Sequence, residues 1–188
     1  DSWDASLLTL PEHQCKPHPS TYGFRGIGNL RIWSEVNQAT QQLVKISTRI
    51  QWMEQEREIW MDGRVHPAEY APHTWQGFST GRWEGDTLVV ETTNFSDKAM
   101  IFGYDGPLTD SLKVVERFKR VADDMIDYTF TVEDPKTWSK AWSGQLPWNK
   151  TPGPLFEYAC HESNEAMIGM LKGHRFEEEQ AKKKTGGN

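Results

Sequence analysis

Residues 42–52 alternate with a period of two: Val44, Ile46, Thr48, Ile50 and Trp52 fall on one face, Lys45, Ser47, Arg49 and Gln51 on the other. That alternation predicts a strand with one buried face. The same period returns at 125–133, where Ile126, Tyr128, Phe130 and Val132 oppose Asp127, Thr129, Thr131 and Glu133. Its hairpin partner is 112–121, joined through Ala122-Asp123-Asp124. There Leu112, Val114 and Phe118 share a face, and Glu116 stands on that same face. A carboxylate among core-facing residues is costly unless it is paired or turned toward an internal cavity, which makes Glu116 a candidate functional group.

Other strands follow from shorter patterns. Residues 28–36 place Leu30 and Ile32 opposite Trp33, and Met53-Glu54-Gln55-Glu56 reads as a hairpin loop leading into 57–61. Residues 75–83 return as 87–93 through Glu84-Gly85-Asp86. One short strand is expected near Trp138–Trp142, within a Pro- and Trp-rich stretch at 134–154, and a last strand at Leu155–Cys160. Glu162 to Leu171 reads as a short helix with Ala166, Met167 and Met170 on one face, ended by Gly173. About eight short strands and one C-terminal helix predict an all-β antiparallel meander, closed into a lipocalin-like β-barrel because closure removes exposed edges. A barrel of about eight strands either fills with side chains or holds one small ligand. The expected layout is an irregular lead-in at 1–26, one barrel domain at 27–175 and a flexible, charged tail at 176–188.

Composition narrows the function classes. With 188 residues the chain buries roughly 70% of its unfolded surface, enough for a core without staples. Only 36% of residues are hydrophobic, yet nine are Trp, so a few large side chains carry the burial. The formal charge of −6, with both signs interspersed, gives no basic stripe for nucleic acid. No apolar run of about 18 residues predicts a membrane-spanning helix. The chain opens on Asp1 rather than Met, which reads as a processed form. Cys15 and Cys160 fit either two buried thiols or a disulfide that would place the protein outside the cytoplasm.

Candidate chemistry lies mainly between residues 57 and 93. His66, Glu69 and His73 offer two imidazoles and a carboxylate that could hold a metal, although the spacing across Pro67 and Pro72 fixes no geometry, and a solvated loop reads better. His161, after the last expected strand, suits a general acid or base at a barrel mouth. Glu116 and Glu157 are the carboxylates expected to point inward. They read as structural partners of Arg117 or Arg82, or as an acid and a base in one cavity. Arg82 would then steady developing negative charge. The Trp set is core by default; beside Pro-rich loops, Trp60, Trp75, Phe78, Trp83, Tyr128, Trp138 and Trp142 also suit the lining of a pocket for a flat, apolar or carbohydrate-like molecule. No phosphate-binding loop, dinucleotide fingerprint, nucleophile elbow or zinc cysteine cluster occurs, so no cofactor is expected.

Several segments carry a further pattern in order. They are Met61-Asp62-Gly63-Arg64 with His66-Pro67, Gly81-Arg82-Trp83-Glu84-Gly85-Asp86-Thr87-Leu88-Val89-Val90-Glu91-Thr92, Val115-Glu116-Arg117, Thr131 to Lys136, and Phe156 to Glu162. Over roughly residues 57–173 the chain resembles a family of exported bacterial proteins of uncharacterised function. The resemblance lends no activity, but it implies a Cys15–Cys160 disulfide and a periplasmic or secreted location. One departure is Gly77-Phe78-Ser79, where the family pattern has a His in place of Phe78. The leading expectation is a small-molecule-binding barrel with an apolar or aromatic ligand. The alternative is a cofactor-independent lyase, isomerase or cyclase using His161 or His66, Glu116, Glu157 and Arg82 in the same cavity. A metal-dependent protein is the weaker alternative, and the pattern leaves the oligomeric state open.

Overall fold

The computed structural model describes Ser20, Phe24 and residues 28–97, 108–159 and 165–185. Eight strands form one sheet in chain order: β1 (Leu30–Val36), β2 (Leu43–Ile50), β3 (Gln55–Trp60), β4 (Phe78–Glu84), β5 (Thr87–Thr93), β6 (Lys113–Ala122), β7 (Met125–Glu133) and β8 (Trp142–Asn149). The eight-strand, mostly antiparallel meander expected from the sequence is present, curled into a half-barrel. Among the described residues no ladder joins β8 back to β1.

Tight turns explain most of the meander. Gly85, at φ 62°, opens the two-residue turn between Glu84 and Thr87; a residue with a Cβ is strained in that left-handed region. Asp123 and Asp124 connect β6 to β7, beside a register shift between Arg120 and Ala122. One joint is different: β3 and β4 run parallel and pair at only Ile59↔Ser79 and Trp60↔Thr80. Parallel neighbours need a crossover connection, which residues 61–77 supply.

The period of two sets the concave face. Ile46, Thr48 and Ile50 continue through Arg57 and Ile59, Ser79, Leu88, Val90 and Thr92, Val114, Glu116 and Phe118, and Tyr128, Phe130 and Val132. Phe24, Ile50, Phe95, Leu108, Leu112, Val114, Tyr128, Phe130 and Val132 form one buried cluster; Ile59, Leu88 and Val90 form a second. Trp52, Trp138, Trp142 and Trp148 pack against the first.

Three expectations change. The strand placed near Trp138–Trp142 begins at Trp142 and runs through Pro147 to Asn149; β8 pairs only with β7, and an edge strand tolerates a residue without an N–H. The last strand expected at Leu155–Cys160 is absent from its described part, 155–159. Held between Pro152, Pro154 and its end contacts, this stretch instead bridges one end of the half-barrel. Lys150 N donates to Asp124 O at 2.7 Å, Asn29 Nδ2 to Pro154 O at 2.8 Å and Tyr158 N to Glu54 Oε1 at 3.4 Å. The helix, α1 (Glu165–Thr185), is 21 residues long, continuing past Gly173 into the stretch read as a flexible tail. Good helix formers with Glu178–Lys182 and Glu179–Lys183 spacing outweigh a glycine penalty of about 1 kcal/mol. It belongs to a separate compact unit, Ala159–Asn188, and no described helix is long and apolar enough to cross a membrane.

Candidate functional site

Five successive strands each send one polar side chain into a single network on the concave face. Arg57 of β3 donates from Nε to Ser79 Oγ of β4 at 2.9 Å and from Nη2 to Thr92 Oγ1 of β5 at 2.6 Å. Nη2 also meets Glu116 Oε2 of β6 at 2.5 Å, and Tyr128 of β7 donates its hydroxyl to Glu116 Oε1 at 2.8 Å. Ser79 and Thr92 hydroxyls lie 2.9 Å apart. The Arg57 and Glu116 side chains are 2% and 0% exposed. Removing two charges from water is expensive and is offset only when geometry is good and the other polar atoms are satisfied. Here the hydroxyls of Ser79, Thr92 and Tyr128 supply part of that satisfaction. Phe24 covers the pair: its ring lies 5.4 Å from the Arg57 guanidinium carbon and meets Phe118, Tyr128 and Trp148 edge-on. Two buried polar atoms nearby have no hydrogen-bond partner among the described residues, Arg57 Nη1 and Thr48 Oγ1.

Beside this network lies an apolar cavity of about 220 Å³, lined by Phe24, Ile32, Ile46, Thr48, Ile59, Trp83, Leu88, Phe118, Ile126 and Trp148, with Asp86 and Arg120 at its edge. A larger cleft of about 600 Å³ shares Phe24, Ile32, Arg120, Ile126 and Trp148 with it and reaches the β6–β7 turn and Thr151.

The residues singled out from sequence are divided between the two faces. Glu116 points inward as expected, but its partner is Arg57 rather than Arg117 or Arg82, and both its oxygens already accept hydrogen bonds. Arg82 stands on the convex face, where its Nε and Nη2 donate to Glu84 Oε1 while Arg117 Nη1 donates to Glu84 Oε2 at 2.9 Å. Parity explains this, since Arg82 and Arg117 both lie opposite Val89 and share its outward direction. Glu157 is exposed on the irregular stretch after β8 and does not meet Glu116. His161, Cys15 and Cys160 lie outside the described residues, and with the cysteines lies the expected disulfide.

His66 also sits on the convex face. Its Nδ1 lies 2.9 Å from Thr93 Oγ1 and its Nε2 2.8 Å from Thr80 Oγ1. Thr93 donates its own hydroxyl to Asn94 Oδ1, so Nδ1–H donates to Thr93 and Nε2 accepts from Thr80, the arrangement of a neutral ring. Burial pushes this imidazole below its ordinary value, against the pull of Glu91. His73 is the opposite case. Its two ring nitrogens face the carbonyls of Glu69 and Phe95, at 2.9 and 2.7 Å, and these hydrogen bonds raise its pKa. His66 and His73 therefore serve different partners, and among the described residues no group of three His, Cys, Asp or Glu could hold a metal.

The raised His73 value has a testable consequence. Its contribution to stability is fully present below the ordinary value of 6.5 and is lost as pH rises through the higher folded value. Chemical unfolding of wild type and His73→Ala is expected to differ more at about pH 5.5 than at about pH 8.5. An equal or larger difference at the higher pH would show that the ring does not pair as a cation.

Of the expected aromatic lining, Trp83 borders the cavity and Tyr128 belongs to the network beneath it. Trp60 is on the convex face, with the Arg64 guanidinium carbon 3.5 Å and Lys45 Nζ 5.5 Å from its ring centre. Phe78 packs edge-on against His66. Trp75, Trp138 and Trp142 pack against the buried cluster instead of lining either space. Two acidic residues of the motif segments are held by local partners. Arg64 forks onto Asp62 and lowers its carboxyl to about 2. Buried Asp134 accepts from Thr109 N and Oγ1, Lys136 N and Thr137 Oγ1.

Sequence reasoning missed Arg57, Ser79, Thr92 and the role of Phe24. For Arg57 the signal existed: it is two residues before Ile59, so a strand that buries Ile59 buries Arg57 as well. No family model, no curated protein and no solved structure matches the chain.

Proposed function

We propose that the protein binds one small, apolar or aromatic molecule on the concave face of its half-barrel. The apolar cavity of about 220 Å³ carries this reading. Ligand sites are typically concave and mostly apolar, with a few polar groups that fix orientation. An apolar cavity of about 150 Å³ accepts benzene, so this space suits a single substituted ring. Two elements of the acid–base alternative, His66 and Arg82, face away from the cavity, and Glu116 is already engaged by Arg57 and Tyr128. The resemblance to exported proteins favours a periplasmic or secreted binder.

Because Trp83 and Trp148 line the cavity, ring-sized probes are expected to change tryptophan emission saturably and to raise the unfolding temperature. At about 100 times Kd the stabilisation should be about 2.7 kcal/mol. Trp148→Phe should remove much of the emission change. Unaltered emission and melting across a panel of saturating aromatic probes would sink the reading.

A further inference from the structure

We infer that β1 is a docking edge for a second copy of this chain. The two β1 strands pair antiparallel about a two-fold axis at Trp33, with Arg31 of each opposite Glu35 of the other.

Alternation of backbone groups identifies the free side of β1. Gln51 N donates to Asn29 O at 2.9 Å and Asn37 N to Gln42 O at 2.8 Å, so the odd-numbered residues between point their backbone groups at β2. Leu30, Ile32, Ser34 and Val36 therefore turn N–H and C=O outward, and among the described residues no strand pairs with them. Such an edge is a template for another strand, and proteins blunt it with proline, lysine or a covering element. The far edge of the sheet is blunted in this way. Lys150 N donates to Asp124 O, which by the same alternation puts Pro147 on the outer side of β8, where it offers no N–H. β1 contains neither proline nor lysine, and five of its seven residues are exposed.

Charge selects the occupant and the register. Arg31 stands opposite Arg49, which lies within ion-pair reach of Glu54 and Glu56, whereas Arg31 has no carboxylate partner among the described residues. Toward the other end of the strand, Glu35 shares Lys45 with Glu58. The strand thus carries a cation two residues before Trp33 and an anion two residues after it, and an antiparallel copy matches both at once. Outward residues meet outward residues, so Ile32 lies opposite Ser34, and Leu30 opposite Val36, which is 48% exposed in the single chain. Arg31–Glu35 and Trp33–Trp33 fall on the closer, non-hydrogen-bonded pairs, where facing side chains interact best. Moving the axis to Ile32 or to Ser34 would set Arg31 against Trp33 or Asn37 and lose both ion pairs.

Sedimentation equilibrium of the full chain over a range of concentrations should show a reversible monomer–dimer equilibrium. Arg31→Glu and Glu35→Arg should each weaken it by about tenfold or more, since each sets like charges opposite one another at both ends. An equimolar mixture of these two variants should restore the dimer, because every facing position then holds opposite charges. Ser34→Pro should abolish it without lowering the unfolding temperature, since it removes an outward N–H and spares the β2 ladder. Wild type that stays monomeric at every concentration would overturn the inference, as would a dimer that survives Ser34→Pro. Loss in both charge variants with no recovery on mixing would overturn it too. If a charge variant does not fold, wild type and Ser34→Pro still decide.

Discussion

Replacing Arg57 with methionine is expected to cost about 3–5 kcal/mol of stability, the typical effect of stranding one member of a buried ion pair. Glu116 would keep the Tyr128 hydroxyl but lose its charged donor, at a position with no access to solvent. Ser79 and Thr92 would lose the donors that tie β4 and β5 to β3. The double replacement Arg57→Met with Glu116→Leu should recover most of that loss, because an apolar pair of similar volume is often no less stable than the ion pair it replaces. Urea unfolding of the two single variants and the double variant measures this directly. Additive losses would mean that Arg57 and Glu116 are not energetically coupled.

Gly77→Ala is expected to be the other large loss. Gly77 adopts φ +70°, a region that costs an L-residue about 1–2 kcal/mol. Its Cβ would also meet Thr93 O at 2.6 Å, Thr92 Cγ2 at 2.7 Å and Phe95 Cε1 at 3.0 Å. The first is backbone, and Thr92 and Phe95 are fully buried, so overpacking adds about 1–3 kcal/mol. The displaced Thr92 is the residue that receives Arg57 Nη2, so damage at this bend reaches the buried pair. Thermal unfolding should show a clear fall in Tm; a change below about 1 °C would mean the loop moves aside at little cost.

Much of this architecture was legible because strands write their burial in a period of two. The faces of 43–50, 113–122 and 125–133 followed from alternation, and Glu116 stood out as the one carboxylate on an apolar face. What remained hidden depends on which strands become neighbours. Arg57 sits among Glu56 and Glu58 and reads as one more surface charge until Ile59 is known to be buried. Arg82 and Glu116 occupy unlike faces because of register between strands, which no local pattern reports. Phe24 comes from a stretch without periodicity, and its place over the Arg57 guanidinium is a tertiary outcome. Helix α1 was underestimated for a different reason: a glycine was read as a stop where the following Glu- and Lys-rich sequence sustains the helix.

The two-residue parallel joint between β3 and β4 bears on how the sheet holds together. It divides the meander into a three-stranded block and a five-stranded block, each knitted internally by long antiparallel ladders. Backbone pairing across the divide is thin, so cohesion there falls to side chains: Ile59 packs with Leu88 and Val90, and Arg57 reaches from the first block to Ser79, Thr92 and Glu116 in the second. The buried ion pair therefore acts as a rivet between two cooperative units. Amide exchange should begin along this seam, with the two blocks parting as wholes before either unravels strand by strand.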